Sequence, residues 1–110
     1  MFCDFCLDFG FSPEVIERLI RDATGMKQTY AEMVKVGERI VNLERLFNLR
    51  EGYTRKDDTV PDRFLEPMPE GTAKGQTCDV SKMLGPYYEM RGWDEQGVPT
   101  KEKLSYLSLL

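Results

Sequence analysis

Apolar residues recur three and four apart over two long stretches of this chain, and nowhere alternate for long enough to make a strand. The first stretch opens at Ser12-Pro13-Glu14. Ser12 is placed to accept a hydrogen bond from an orphan N–H, Pro13 suits the first helical position, and Glu14 meets the positive end of the dipole. Val15, Ile16, Leu19, Ile20 and Ala23 then form one apolar stripe, and Thr24-Gly25 ends the helix with Gly25 as a left-handed cap.

Thr29-Tyr30-Ala31-Glu32 is a capping box that opens the longest predicted helix, running to Leu49. Its stripe is Met33, Val36, Ile40, Leu43 and Phe47, widened by Val34 and Val41. Gly37 falls inside it at a cost of up to about 1 kcal/mol relative to Ala, which predicts close approach of another helix. At about 100° per residue, Glu44 and Asn48 fall within the apolar face, while Leu46 and Leu49 fall outside it. The last turns are thus apolar on more than one side, as in a surrounded helix. A carboxylate on such a face must be paired or protonated, so Glu44 is expected to pair with an arginine.

Arg50-Glu51-Gly52 closes that helix, and residues 53–77 carry no period. Pro67, Pro69, Gly71 and Gly75 punctuate them, leaving one expected helical turn at Pro61–Leu65. Asp79 is a plausible cap for a third helix with Val80, Met83, Leu84, Tyr87 and Tyr88 on one face, which Gly85-Pro86 should kink or split. After a turn at Gly97-Val98-Pro99, Thr100 caps a short helix carrying Leu104 and Leu107. The fold class predicted is all-α, a single small helical domain over residues 1–110 with about four helices and a long irregular loop.

The chain has 110 residues, 31% charged, with a net charge of −4 and no block of Lys or Arg, which argues against nucleic acid as a partner. No apolar run approaches the roughly 18–20 residues of a membrane span. The chain contains no histidine. It therefore lacks the commonest general base, the commonest zinc ligand and the partner of a Ser or Cys nucleophile, which argues against a self-contained hydrolase or protease. Three cysteines and no basic leader fit a reducing, cytoplasmic setting.

The first eleven residues hold four of the six Phe, and an aromatic terminus of that kind must be buried or docked on something else. Cys3-Asp4-Phe5-Cys6 lies within it. A thioredoxin-like role needs a preceding strand and a helix at the motif, and neither is present in the pattern. Zinc needs four ligands, and Cys3, Cys6 and Cys78 supply three. Small apolar fillers, or partial ligation of an iron–sulfur cluster completed from elsewhere, are the remaining readings. Asp57-Asp58 reads as a solvated turn with local salt bridges to Arg55 and Lys56, not as a catalytic carboxylate pair.

Gly37-Glu38-Arg39-Ile40-Val41-Asn42-Leu43-Glu44-Arg45-Leu46-Phe47-Asn48, continuing into Arg50-Glu51-Gly52-Tyr53-Thr54-Arg55-Lys56-Asp57-Asp58, strongly resembles the C-terminal region of the tungsten-containing aldehyde:ferredoxin oxidoreductase family. Pro61-Asp62-Arg63-Phe64-Leu65-Glu66-Pro67, Tyr87-Tyr88-Glu89-Met90-Arg91-Gly92-Trp93-Asp94 and Pro99-Thr100-Lys101-Glu102-Lys103-Leu104 follow in the same order and spacing. The resemblance covers nearly the whole chain. It implies an enzyme several times longer, oxidising aldehydes to carboxylic acids at tungstopterin, with a [4Fe-4S] cluster passing electrons to ferredoxin.

In that family one cluster cysteine stands in a Cys-x-Phe setting shortly before a Ser/Thr-Pro-Glu helix start. Cys3-Asp4-Phe5 fits this setting, with Cys6 as second choice, and Cys78 matches nothing. The other cluster ligands, the pterin domain and the active-site acid and base are implied to lie elsewhere, so no catalytic residue is assigned to this chain. The isolated chain is expected to hold no cofactor, to be inactive, and to form a homo-oligomer through the face that meets the missing domains. Its partners are those domains, or a separately encoded N-terminal part. The rival reading is a stand-alone helical interaction module that has lost the chemistry.

Overall fold

The computed structural model describes residues 12–110. The all-α prediction holds: among these residues there are four α-helices, two short 3-10 turns and no strand. The helices are α1 (Pro13–Thr24), α2 (Tyr30–Arg50), α3 (Val80–Arg91) and α4 (Lys101–Tyr106). The chain divides into two compact units, Met1–Ile40 and Val41–Leu110, and α2 contributes to both. The Phe-rich segment, with Cys3 and Cys6, lies outside the described residues.

In the first unit α1 begins and ends where its signals predict. Pro13 takes the first turn, and Gly25, at φ 75°, donates its N–H to the Arg21 carbonyl at 2.8 Å. The expected side-chain cap is not made. The Ser12 hydroxyl turns to the Glu14 carboxylate instead, holding that carboxyl below its ordinary value, and the Ser12 carbonyl receives the N–H groups of Val15 and Ile16. The capping box at the start of α2 forms as predicted: the Thr29 N–H donates to Glu32 at 2.7 Å and the Glu32 N–H to the Thr29 hydroxyl at 3.3 Å. The Tyr30 N–H also donates to Glu17 of α1 at 2.6 Å. Among the described residues the close helix approach expected at Gly37 is not found, since none lies within 4 Å of where its Cβ would stand. No residue of α1 is buried.

The second unit holds the core: Tyr88, Trp93, Leu104 and Leu107. Trp93 packs edge-on against Tyr87 and tilted against Tyr88, with ring centroids 5.8 Å apart in both pairs. Thr100 caps α4 as predicted, Leu104 is its buried residue, and Leu107, just past its end, is buried as well. Asp79 caps α3 by accepting from the Lys82 N–H. The helix runs through Pro86 without splitting. Its C-terminal half is anchored by buried Tyr88 and by the left-handed Gly92 cap, which offset the hydrogen bond that proline cannot donate.

Residues 53–77 contain more structure than the pattern suggested. The helical turn expected near Pro61 is Asp62–Phe64, and a second lies at Arg55–Asp57. The second has its own capping box, with the Thr54 N–H donating to Asp57 at 2.7 Å. The remainder is tied by backbone bonds from Met68 to Gln76, from Gly75 back to Met68, and from Cys78 to Phe64.

Candidate functional site

The burial of α2 reverses the expectation from its stripe. Val36, Ile40, Leu43 and Phe47 are 43–56% exposed, whereas Asn42 is wholly buried and Arg45 is 6% exposed. Leu46 and Leu49 are half-buried, so the last turns are covered on one side only among the described residues. Glu44 is exposed, and the predicted arginine partner is not found among the described residues.

Arg45 organises the buried side. Its Nε–H donates to the Gly97 carbonyl at 2.8 Å, and its two terminal nitrogens donate to the two oxygens of Asp58 at 2.8 and 2.6 Å. This bidentate geometry is what a planar guanidinium supplies and an ammonium cannot. Tyr88 donates its hydroxyl to Asp58 as well. The guanidinium carbon lies 5.0 Å from the Trp93 ring centroid, and the Trp93 indole N–H donates to Asn42 at 2.9 Å. Arg55, 5.1 Å over the Tyr88 ring, donates to the Glu95 carbonyl at 2.6 Å.

Local sequence explains why the Gly97 carbonyl points at Arg45. Asp94 accepts from the N–H groups of Gln96 and Val98, and the Gly97 N–H returns to the Asp94 carbonyl at 2.9 Å. The turn needs φ 75° at Gly97, and a Cβ there would run into the Arg45 guanidinium and the Tyr88 ring. Glycine is therefore required twice at this position, once for its backbone angle and once for space.

The electrostatics follow from these contacts. Burial opposes ionisation of Asp58, but the hydrogen bonds from Arg45 and Tyr88, with the charges of Arg45 and Arg55, outweigh it and hold the carboxyl below its ordinary value. Burial and the bond to Asp58 push the Tyr88 phenol up. Asp58 accepts from Arg45 on both oxygens and from Tyr88 on Oδ2, so these three side chains hold one another in place. The cluster is a brace that joins α2, the loop, α3 and the Asp94–Gly97 turn. The local pairing expected of Asp57-Asp58 is corrected accordingly: Asp57 turns back to cap Thr54, and Asp58 pairs with Arg45, 13 residues away.

Beside the brace lies a groove of about 380 Å³ lined by Asp57, Asp58, Cys78, Met83 and Tyr87 among others. Cys78 is half-buried there as a free thiol. Among the described residues no group of three or more His, Cys, Asp or Glu is placed to hold a metal ion. Their donor set does not fit a cluster or a tungsten site, and the two predicted ligands, Cys3 and Cys6, lie outside the described residues. No described helix is long and apolar enough to cross a membrane. Sequence reasoning missed Arg45, Asn42 and Gly97 as a linked set. The one available signal was that the Gly97 turn and the Trp93 preceding it had no stated purpose.

A family model described as aldehyde ferredoxin oxidoreductase, domains 2 and 3, matches residues 1–109. A tungsten-containing aldehyde ferredoxin oxidoreductase of Pyrococcus furiosus is 48% identical over 103 residues, which are 92% of this chain and 17% of that protein. The protein of the same name from Pyrococcus horikoshii is 45% identical with the same coverage. An aliphatic sulfonate oxidoreductase, WOR-like subunit, of Pyrococcus furiosus is 34% identical, covering 97% of this chain and 18% of that protein. The chain thus spans 17–18% of the length of these relatives.

Proposed function

The chain belongs to the aldehyde ferredoxin oxidoreductase family, and on that premise we propose that it works as the C-terminal segment of a tungsten-containing aldehyde:ferredoxin oxidoreductase. Within the assembled protein, aldehyde is oxidised to carboxylic acid and the electrons leave for ferredoxin. This segment contributes packing surface and one thiolate, Cys3, to a [4Fe-4S] cluster, with Cys6 as the alternative ligand. Tungstopterin and the remaining cluster ligands come from the rest of the assembly, and the segment alone turns over no substrate.

The observation that carries this reading is the mismatch of coverage: 92% of this chain aligns at 48% identity with only 17% of its relative. Two features support it. The described donors do not form a metal site, and among the described residues the buried cluster around Arg45 ties α2 to α3 and to the two intervening and following turns. Cys3-Asp4-Phe5 stands a few residues before the Ser12-Pro13-Glu14 helix start, the setting that the resemblance implies.

The test is anaerobic co-production of the 110-residue chain with a Pyrococcus furiosus tungsten-containing aldehyde ferredoxin oxidoreductase truncated before its matching segment. The expected product carries a [4Fe-4S] signal and aldehyde-dependent reduction of ferredoxin. Cys3→Ala loses the cluster signal and Cys6→Ala keeps it, whereas the opposite result transfers the ligand to Cys6. Aldehyde oxidation by the 110-residue chain alone sinks the reading.

A further inference from the structure

We propose that the exposed Leu43–Phe47 face of α2 is where the upstream, cofactor-bearing part of the oxidoreductase docks. This rests on the function proposed above and adds the location of the contact. The argument begins with inverted polarity. In the unit formed by Val41–Leu110, α2 turns Asn42 and Arg45 inward and leaves Leu43 and Phe47 in water. Val36 and Ile40, earlier on the same helix, are exposed as well. Single exposed apolar side chains are ordinary, but a run of them at helical spacing marks a surface built to be covered.

The shape and rim agree with that. Leu43, Glu44, Phe47 and Asn48 line a shallow hollow of about 500 Å³. The Arg50 guanidinium lies 5.2 Å over the Phe47 ring at its end. An apolar centre edged by a carboxylate, an amide and a guanidinium has the layout of a protein–protein interface.

One observation selects the occupant. Each matched relative has more than four-fifths of its length outside the matching segment, which is ample polypeptide to cover the face. Self-association of the isolated chain through the same face is then a substitute that the upstream part displaces.

The experiment measures binding of the full 110-residue chain to the truncated Pyrococcus furiosus enzyme described above, with light scattering on both. Wild type is expected to bind, and Leu43→Asp/Phe47→Asp to weaken binding about tenfold or more while keeping its circular dichroism. Leu43→Ser/Phe47→Ser serves where the aspartates disturb folding. Lys101→Ala/Glu102→Ala, on the exposed first turn of α4, is expected to bind as wild type. Full binding by the Leu43/Phe47 variants overturns the face while leaving the proposed function intact. Failure of wild type to bind overturns both. Oligomers that depend on Leu43 and Phe47 and persist in excess truncated enzyme assign the face to a second copy and overturn the proposal. Amide protection at Leu43–Phe47 in the isolated chain that vanishes on deleting residues 1–11 assigns it to the chain's own N-terminus, with the same consequence.

Discussion

Residues 41–110 close around four buried apolar side chains and a buried arginine, whereas α1, in residues 12–40, buries nothing. Yet α1 carries the cleaner apolar stripe. A stripe states that a helix has something to cover and leaves open what covers it. What closes the second region is a set of directional bonds from Arg45 to groups far along the chain. Polar geometry fixes the packing there, and the apolar residues fill around it.

The strongest way to break this contrast is Arg45→Ala. It removes the guanidinium from Asp58 and from the Gly97 carbonyl, and removing one partner of a buried pair costs about 3–5 kcal/mol. Urea unfolding followed by circular dichroism should show it, with amide exchange accelerated over α3 and α4. A loss near zero would mean that apolar packing alone holds this region. Gly97→Ala comes next, at about 2–3 kcal/mol, because it forces a left-handed backbone on a residue with a Cβ and drives that Cβ into Arg45 and Tyr88.

A pH titration sharpens the comparison at smaller amplitude. A carboxyl held below its ordinary value stabilises the fold above its unfolded pKa of about 4, and that contribution disappears as pH falls through the folded value. Asp58, Asp57, Glu32, Glu14 and Asp79, the last lowered to about 2, all act in this direction. All but Asp58 are exposed, so about 0.5 M salt should flatten their share and spare that of Asp58. Asp58→Asn is therefore expected to lose less stability than wild type between pH 4 and 2 in high salt. Parallel curves would remove Asp58 from the account. The smallest effect belongs to α1: Leu19→Ala, at a half-exposed position, should cost less than about 1 kcal/mol.

How much of this was legible in the sequence depends on range. The capping box at Thr29 and Glu32, the Gly25 cap and the short helix after Thr100 are local, and each was readable within four residues. Thr54 and Asp57 carry the same local signature but sit in a charged, aperiodic stretch where it went unread. The partners of Arg45 stand 13 and 52 residues away, and no periodicity connects them. An arginine opposite an apolar stripe looks like the solvent side of a helix, so the stripe was assigned inward and the structure places it outward. Cys3 and Cys6 acquired a role only through the family resemblance, because a CxxC ahead of a helix start fits several chemistries equally well.

The brace also decides which region the chain's intrinsic light emission reports. Trp93 is the one tryptophan in 110 residues, and it sits against the Arg45 guanidinium with its indole N–H bound to Asn42. Excitation at the red edge of protein absorbance therefore interrogates residues 41–110 and is blind to α1. An emission maximum that shifts while helical ellipticity holds would register the guanidinium leaving the ring before any helix melts.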